Sequence, residues 1–265
     1  MGYSQEWLHI LNLVQEFSSK RGIVFFRGHP NSNFKLHSGL FREPLITLED
    51  FLVSEQVRYN HFKTLGHLDH GGMASWSLLY LMQHYGVKTR LLDWSESFAA
   101  ALFFAYTKWD PLTNPEACVW MLDPGALNIQ AMGVQHLIDP ITNGDYEEFL
   151  RTDKSFADYS IALFPPKNSK RMTVQQGVFT LQGNSTKPLE AEFNGELMKT
   201  GELVKIPLGI GLIDDIRSYL LQAGVNYYTL FPDLDGLARK INDPFLVPPG
   251  ISRFLNTVTN KINHS

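Results

Sequence analysis

The chain has 265 residues, 44% hydrophobic and 12% aromatic, enough apolar material for a core in one large domain or two small ones. Charged residues make up 19% and the formal net charge is −4. This excludes a disordered or halophilic composition and a general nucleic-acid footprint, while leaving room for a local basic groove. The one cysteine, Cys118 in "EACVWML", permits neither a disulfide framework nor a cysteine-based zinc site, and reads as a reduced core residue.

The opening "MGYSQEWLHI" lacks a basic segment followed by an apolar run, and no stretch approaches the roughly 18 apolar residues of a membrane span. Met-Gly would suit myristoylation, but Glu6 stands where that signal takes Ser or Thr. A soluble, cytoplasmic protein that does not bind membranes is expected. Trp7, Ile10, Leu11, Val14 and Phe17 recur at helical spacing behind a Ser4 cap. "GIVFFRG" (22–28) reads as a buried strand, and "HPNSNFKLHSG" (29–39) as a polar loop. Thr47 can cap a helix from about 48 to 65. Residues 73–85 predict a second helix closed by Gly86, and "TRLLDW" a strand. Phe98, Ala101, Leu102 and Ala105 then mark a helix whose alanines allow close approach, followed by strand-like "CVWML". Residues 123–170, rich in Asp, Pro, Asn and Gly, show no clear periodicity. "MTVQQGVFTL" (172–181) and "ELVKIP" (202–207) are strand candidates, and Ile213, Ile216, Arg217 and Leu220 suggest a helix ending at Gly224. "YYTLFPDLDGLARKI" predicts a short strand, a turn and a helix start. Without regular βαβ alternation, the pattern indicates an α+β fold with a mixed, mostly antiparallel β core flanked by helices, in one domain.

Four blocks carry a family resemblance. "FFRGHPNSNFKLHSGLFRE" looks like the opening of the FRG domain, named for its Phe-Arg-Gly. "QHYGVKTRLLDWSESFAAALFFAY" resembles its central motif, "RMTVQQGVF" its third block and "LFPDLDGLA" its fourth. The blocks run from about residue 22 to 240, so the resemblance implies a single FRG domain over 1–265 with an N-terminal helix and a C-terminal tail. Lys88 departs from the Pro usual there, which would loosen the turn, and Ser95 replaces Thr. Such proteins occur mainly in bacteria and phages. The resemblance therefore implies an effector of conflict, a toxin or an antiviral defence protein, but no chemistry.

The chemistry has to come from the residues. Arg27, ending a buried strand before Gly28, can present its planar fork to a phosphate or carboxylate while the glycine admits the ligand to the backbone. It can equally tie strand to loop by pairing with Asp93. His29 reads as a loop residue. Gln83, His84 and Tyr85 close a helix, where His84 either bonds the last carbonyls or serves as acid, base or ligand-orienting group. Period two in "TRLLDW" puts Arg90, Leu92 and Trp94 on one face and Thr89, Leu91 and Asp93 on the other. The two charges thus need separate partners, in a fold-locking network or in a site. Trp94 is a core residue or a stacking platform. Gln175 could orient a ribose or a water, and Gly177 marks a bulge or a close approach. Asp233 and Asp235 could chelate a metal or cap a helix. No Walker loop, Gly-x-Gly-x-x-Gly, His-Glu-x-x-His or Gly-x-Ser-x-Gly is present, which removes kinases, Rossmann dehydrogenases, zincins and α/β-hydrolases.

Three readings remain. One is an NAD-handling enzyme of the ADP-ribosyltransferase type, by fold-level analogy. That fold is a split, mostly antiparallel core using an Arg or His at the end of the first strand, a polar or aromatic residue on the second and an acidic or polar one near a later strand. Arg27, the Thr89–Trp94 strand and Gln175 occur in that order, although the usual Glu is missing and only Asp93 or Glu148 could replace it. The second is a metal-dependent nuclease or hydrolase using Asp93, Asp233, Asp235 and His84. The third is a non-catalytic module recognising a phosphorylated ligand or a phage or toxin-system protein through Arg27 and Arg90. The leading assignment makes Arg27, His84 and Asp93 catalytic and Gly28, Tyr85, Arg90, Trp94 and Gln175 ligand-binding. It includes no metal, and NAD enters as a substrate, not as a permanently bound cofactor.

Overall fold

The computed structural model describes residues 2–140, 144–151, 156–166 and 170–243. Helix α1 (Gln5–Ser19) starts where the Ser4 hydroxyl accepts from the Trp7 N–H, as its spacing predicts. Strand β1 (Phe25–His29) follows. The Thr47 capping box, closed by Asp50, then opens α2 (Leu48–Leu65), and α3 (His67–His70) and α4 (Ser75–His84) come next. Gly86 adopts φ +79° just past α4, the left-handed turn expected after a helix. Strand β2 (Leu91–Ser95) leads to α5 (Phe98–Tyr106), capped by Ser97, and then to β3 (Glu116–Leu122).

The stretch without clear periodicity holds α6 (Pro124–Met132), α7 (Tyr146–Arg151) and β4 (Ile161–Leu163). Helix α6, nine residues long, is capped locally by Asp123 and Gly133, and α7 and β4 are six and three residues long, so little helical or strand period has room to repeat. The strand expected over 172–181 is half correct. Residues Lys170–Val174 form helix α8, and β5 is Gly177–Leu181. Gln176 turns between them at φ +48°. Helix α9 (Glu196–Lys199), strand β6 (Leu203–Gly209) and helix α10 (Ile213–Gln222) follow. The strand expected in "YYTLF" is instead helix α11 (Tyr227–Leu230), because Asn226 and Thr229 close a capping box that outweighs the β-propensity of two tyrosines and a threonine. Helix α12 (Leu234–Asn242) ends the described chain.

The six strands form one antiparallel sheet in the order β4-β5-β2-β1-β3-β6, giving the α+β architecture the sequence indicates. One face carries two separate covers. Leu91, Phe179 and Leu181 pack with Trp76, Leu79 and Tyr80 of α4. Phe26, Val119 and Met121 pack with Trp7 of α1, Ala101 of α5 and Ile216 of α10. The opposite face buries Leu92, Trp94, Cys118 and Trp120 with Leu127 and Leu197. Burial raises the Cys118 thiol to about 12, so it stays protonated, as expected of a core cysteine. Among the described residues no helix is long and apolar enough to cross a membrane.

The covers on the first face are pinned differently. At α5 the contact is backbone on backbone: a Cβ on Gly28 would lie 1.9 Å from the Ala101 carbonyl oxygen and 2.6 Å from the Ala105 nitrogen. Gly28 is therefore a packing requirement of α5, a role the sequence reading did not give it, and it also borders the cleft described below. On the other side Arg90, 0% exposed, grips Glu55 of α2 bidentately, with Nε to Oε1 at 2.7 Å and Nη2 to Oε2 at 2.5 Å. The same guanidinium donates to the Gln182 carbonyl at 2.9 Å and stands 3.5 Å over the Phe156 ring, while the Tyr146 hydroxyl donates to Glu55 at 2.6 Å. Burial alone would depress Arg90. The Glu55 carboxylate outweighs it and holds the guanidinium above its ordinary value.

Two stability predictions follow from these pins. Glu55→Gln, which leaves the buried Arg90 charge without a counter-ion, should lower the unfolding free energy by about 3–5 kcal/mol in urea titration. Gly28→Ala should cost at least about 2 kcal/mol by the same measurement, since helix backbone has to move to admit one methyl group.

Candidate functional site

A cleft of about 850 Å³ opens between the two covers. It passes the parted edges of β2 and β1: Asp93, cross-strand from Phe179, faces the α4 side, while Arg27 and His29, cross-strand from Trp120 and Cys118, leave the other face of the sheet. Its walls come from α4, α5 and the loop between β1 and α2. Strands β1 and β2 pair at one position, Phe26↔Ser95, whereas β1 pairs with β3 at five. Where β1 and β2 part, the Asp93 carbonyl loses its neighbouring strand, and Arg27 Nη1 donates to it in place of a rung. Arg27 Nε donates to His29 Nε2 at 3.0 Å. These two bonds fix the guanidinium plane at the cleft wall.

His29, 3% exposed, is therefore an acceptor at Nε2 and carries its proton at Nδ1. Burial first, then the Arg27 and Arg42 charges, push its pKa down to about 3. Burial also lowers Arg27 to about 10, against the opposing pull of Asp93, which leaves it cationic at neutral pH. The sequence treats His29 as a plain loop residue. Its role could have been suspected only from the i, i+2 spacing to Arg27.

Asp93 points from β2 into the cleft, on the face opposite Leu92 and Trp94, as period two predicts. Gln83 Nε2 donates to Asp93 Oδ2 at 2.8 Å, and Thr89 Oγ1 donates to Gln83 Oε1 at 2.6 Å. This three-residue chain orients the carboxylate and explains why glutamine precedes the His84-Tyr85-Gly86 turn. Asp93 does not cap α5; Ser97 does. Nor does it form an ion pair with Arg27, which takes its backbone oxygen instead.

The other expected residues divide. His84 is exposed and lines the cleft, its ring edge-on to Tyr85 at 5.2 Å. Gln175 also lines it, but sits in the turn before β5 and donates its amide to the Leu230 carbonyl at 3.0 Å. Arg90 is a correction: spent on Glu55 beneath α2, it does not reach the cleft. Trp94 reaches the cleft lining with only 4% of its surface exposed; its ring packs in the opposite core and donates its indole N–H to Thr180 at 3.0 Å. Tyr85 is 70% exposed at the outer end of α4 and gives the cleft no ring face. Tyr80, stacked on Phe179 at 5.4 Å, lines the cleft, both rings being 5% exposed or less, and the open aromatic face is Phe34 in the loop, 51% exposed. Asp233 caps α12 through the Gly236 N–H at 2.7 Å, and among the described residues no three His, Cys, Asp or Glu side chains gather to hold a metal. The metal constellation of Asp93, Asp233, Asp235 and His84 is therefore not assembled.

Electrostatically the cleft is lopsided. Arg27, Lys35, Arg42 and Lys108 line it, against Asp93 as the one lining carboxylate among the described residues. A walled, low-dielectric cleft of one dominant sign concentrates ligands of the opposite sign, and 850 Å³ is within the range of cofactor-sized sites.

Many of these features fall within one segment that matches a family model. Residues 22–112 match the family model of the FRG domain. The chain contains an FRG domain. No curated protein and no solved structure matches the chain. The FRG segment supplies Arg27, His29, Gln83 and Asp93 together with the Arg90–Glu55 pair. Strand β5, Gln175 and the resembling blocks at 171–179 and 230–238 lie beyond the match. Lys88, in the place where the FRG motif usually has Pro, pairs with Glu43 at 2.8 Å, so the turn it might have loosened is tied to the cleft loop.

The buried histidine gives a pH prediction. Its folded pKa lies below the unfolded value, so the unfolded chain takes up the proton first as pH falls. Stability contributed by neutral His29 is present above about 6.5 and is lost progressively toward pH 3. His29→Gln, which keeps an acceptor for Arg27, should flatten the pH dependence of the melting temperature between pH 6.5 and 4 relative to wild type.

Proposed function

We propose that the cleft binds a nucleotide, NAD foremost, and acts on its N-glycosidic bond in the manner of an ADP-ribosyltransferase or an NAD-cleaving enzyme. The observation that carries this reading is the convergence of three neighbouring strands on one cationic cleft. Arg27 comes from β1, Asp93 from β2, and Gln175 from the turn entering β5. The parting of β1 from β2 also suits the split core of that fold class.

In this reading Arg27 grips a phosphate with the guanidinium edge not used on Asp93 and His29. The edges of Tyr80 and Phe179 that line the cleft give the nicotinamide ring an apolar border. Asp93, oriented by Gln83, stands against the ribose C1′ as the bond to nicotinamide breaks. Nicotinamide leaves with the bonding electron pair. The developing oxocarbenium charge is offset by the Asp93 carboxylate, and water or an acceptor hydroxyl adds at C1′, passing its proton to Asp93. Depletion or transfer of so central a metabolite would suit an effector of bacterial or phage conflict.

Gln175 supports a second reading. It stands where the fold class often has an acid, cannot carry charge, and has its amide committed to Leu230. A cleft with one carboxylate also suits recognition without turnover.

Incubation with NAD, with nicotinamide release followed by chromatography and binding by calorimetry, separates the readings. Wild type should bind NAD and release nicotinamide. Asp93→Asn should cut release at least about 100-fold with affinity retained, the size expected for lost transition-state electrostatics. Arg27→Ala should weaken binding at least about tenfold, as for one charge-assisted phosphate contact. Binding with no release supports recognition alone, and absence of NAD binding at millimolar concentration overturns the proposal.

A further inference from the structure

The loop from Pro30 to Arg42 is long, polar and irregular, yet pinned along its length. The Asn31 amide meets Asn114 at 2.5 Å, Ser32 N–H donates to the Glu116 carbonyl at 2.9 Å, and Lys205 donates to the Ser32 carbonyl at 2.5 Å. Leu36 N–H donates to Glu190 at 3.0 Å, Ser38 N–H to Gln182 at 2.7 Å, and Leu40 N–H to the Thr89 carbonyl at 2.9 Å. A loop so held has little entropy left to lose on binding. It nevertheless leaves Phe34 51% exposed at the cleft edge, beside Lys35, His37 and Arg42, which all line the cleft.

The donors of this loop are set in advance. Gln182 accepts from Ser38 N–H through Oε1 and donates through Nε2 to the Lys187 carbonyl, which fixes its amide so that Nε2 also donates to His37 Nδ1 at 3.2 Å. The His37 proton therefore sits on Nε2, which makes no hydrogen bond among the described residues. Arg42 spends its Nε on the His37 carbonyl at 2.8 Å, leaving both terminal nitrogens for a ligand.

We infer that this loop is a second subsite, binding a diphosphate on Arg42, His37 and Lys35 and stacking a purine on Phe34, so that the ligand is a dinucleotide or other nucleoside-diphosphate conjugate with its reactive end at Asp93. The inference rests on the nucleotide reading of the cleft and adds which part of the ligand lies where.

ADP is the separating probe, because it carries the diphosphate and purine but nothing for Asp93 to act on. Calorimetry should show ADP binding to wild type and displacing NAD, with AMP weaker. Phe34→Ala should weaken ADP and NAD at least about fivefold, the size of one lost base stack, with Phe34→Tyr restoring it. Arg42→Ala should weaken both at least about tenfold. Melting curves check that each variant folds; Phe34 in particular is half exposed. NAD binding that ADP does not displace, or that both alanine variants leave within about twofold, overturns the subsite. ADP binding with the expected variant losses but no NAD binding would keep the subsite and overturn the NAD reading instead.

Discussion

The parting of β1 from β2 after a single paired position is the constraint on which the cleft depends. A continuous ladder would carry the sheet flat beneath both helical covers and consume the Asp93 carbonyl. Because the strands separate, that carbonyl needs a donor, and Arg27 supplies one from its own strand. The arginine that mends the sheet is thereby the cation displayed at its opening. Structure and function draw on one guanidinium, with Nη1 and Nε used by the fold and the remaining edge facing the cleft.

The two charges of "TRLLDW" illustrate how position decides what a charge does. Arg90 and Asp93 are three residues apart, yet one is sealed beneath α2 with Glu55 and Tyr146, and the other faces the open cleft. A fully buried ion pair holds mainly because both partners are saturated with hydrogen bonds, and Arg90 has Glu55, Gln182 and an aromatic face. Asp93, exposed and steadied by one amide, keeps oxygen capacity for a ligand. The motif joins a structural anchor to a chemical group at a spacing one strand can enforce.

Much of this was legible in the sequence. Caps at Ser4 and Thr47 and the left-handed Gly86 fall where residue chemistry puts them, and alternation correctly sends Asp93 away from Leu92 and Trp94. The errors have physical causes. Tyr227–Leu230 looks like a strand because propensity weighs every residue alike, while the Asn226 cap decides the outcome. Met172–Leu181 looks like one element because the residue that turns with positive φ is Gln176, while Gly177 beside it reads as a bulge within a strand. Arg90 was assigned to the ligand because no local pattern reveals that Glu55, 35 positions earlier, is waiting for it. The cationic loop was undervalued because Lys35, His37 and Arg42 are scattered, and only the folded path of residues 30–42 gathers them. One clue was present: Phe34, an aromatic ring set between Asn33 and Lys35 in "HPNSNFKLHSG".

The contact at Gly28 has a mechanical corollary. At Gly28 helix α5 rests directly on the β1 backbone, with no side chain at that point to flex or change rotamer, so the wall there has no compliant layer. Adjustment to ligands of different girth falls to α4, which meets the sheet through the side chains of Trp76, Leu79 and Tyr80, since the Phe34 loop is itself pinned. The cleft thus behaves as a vice with one fixed jaw. Its selectivity can drift through the movable side while the distance from Arg27 to α5 stays constant.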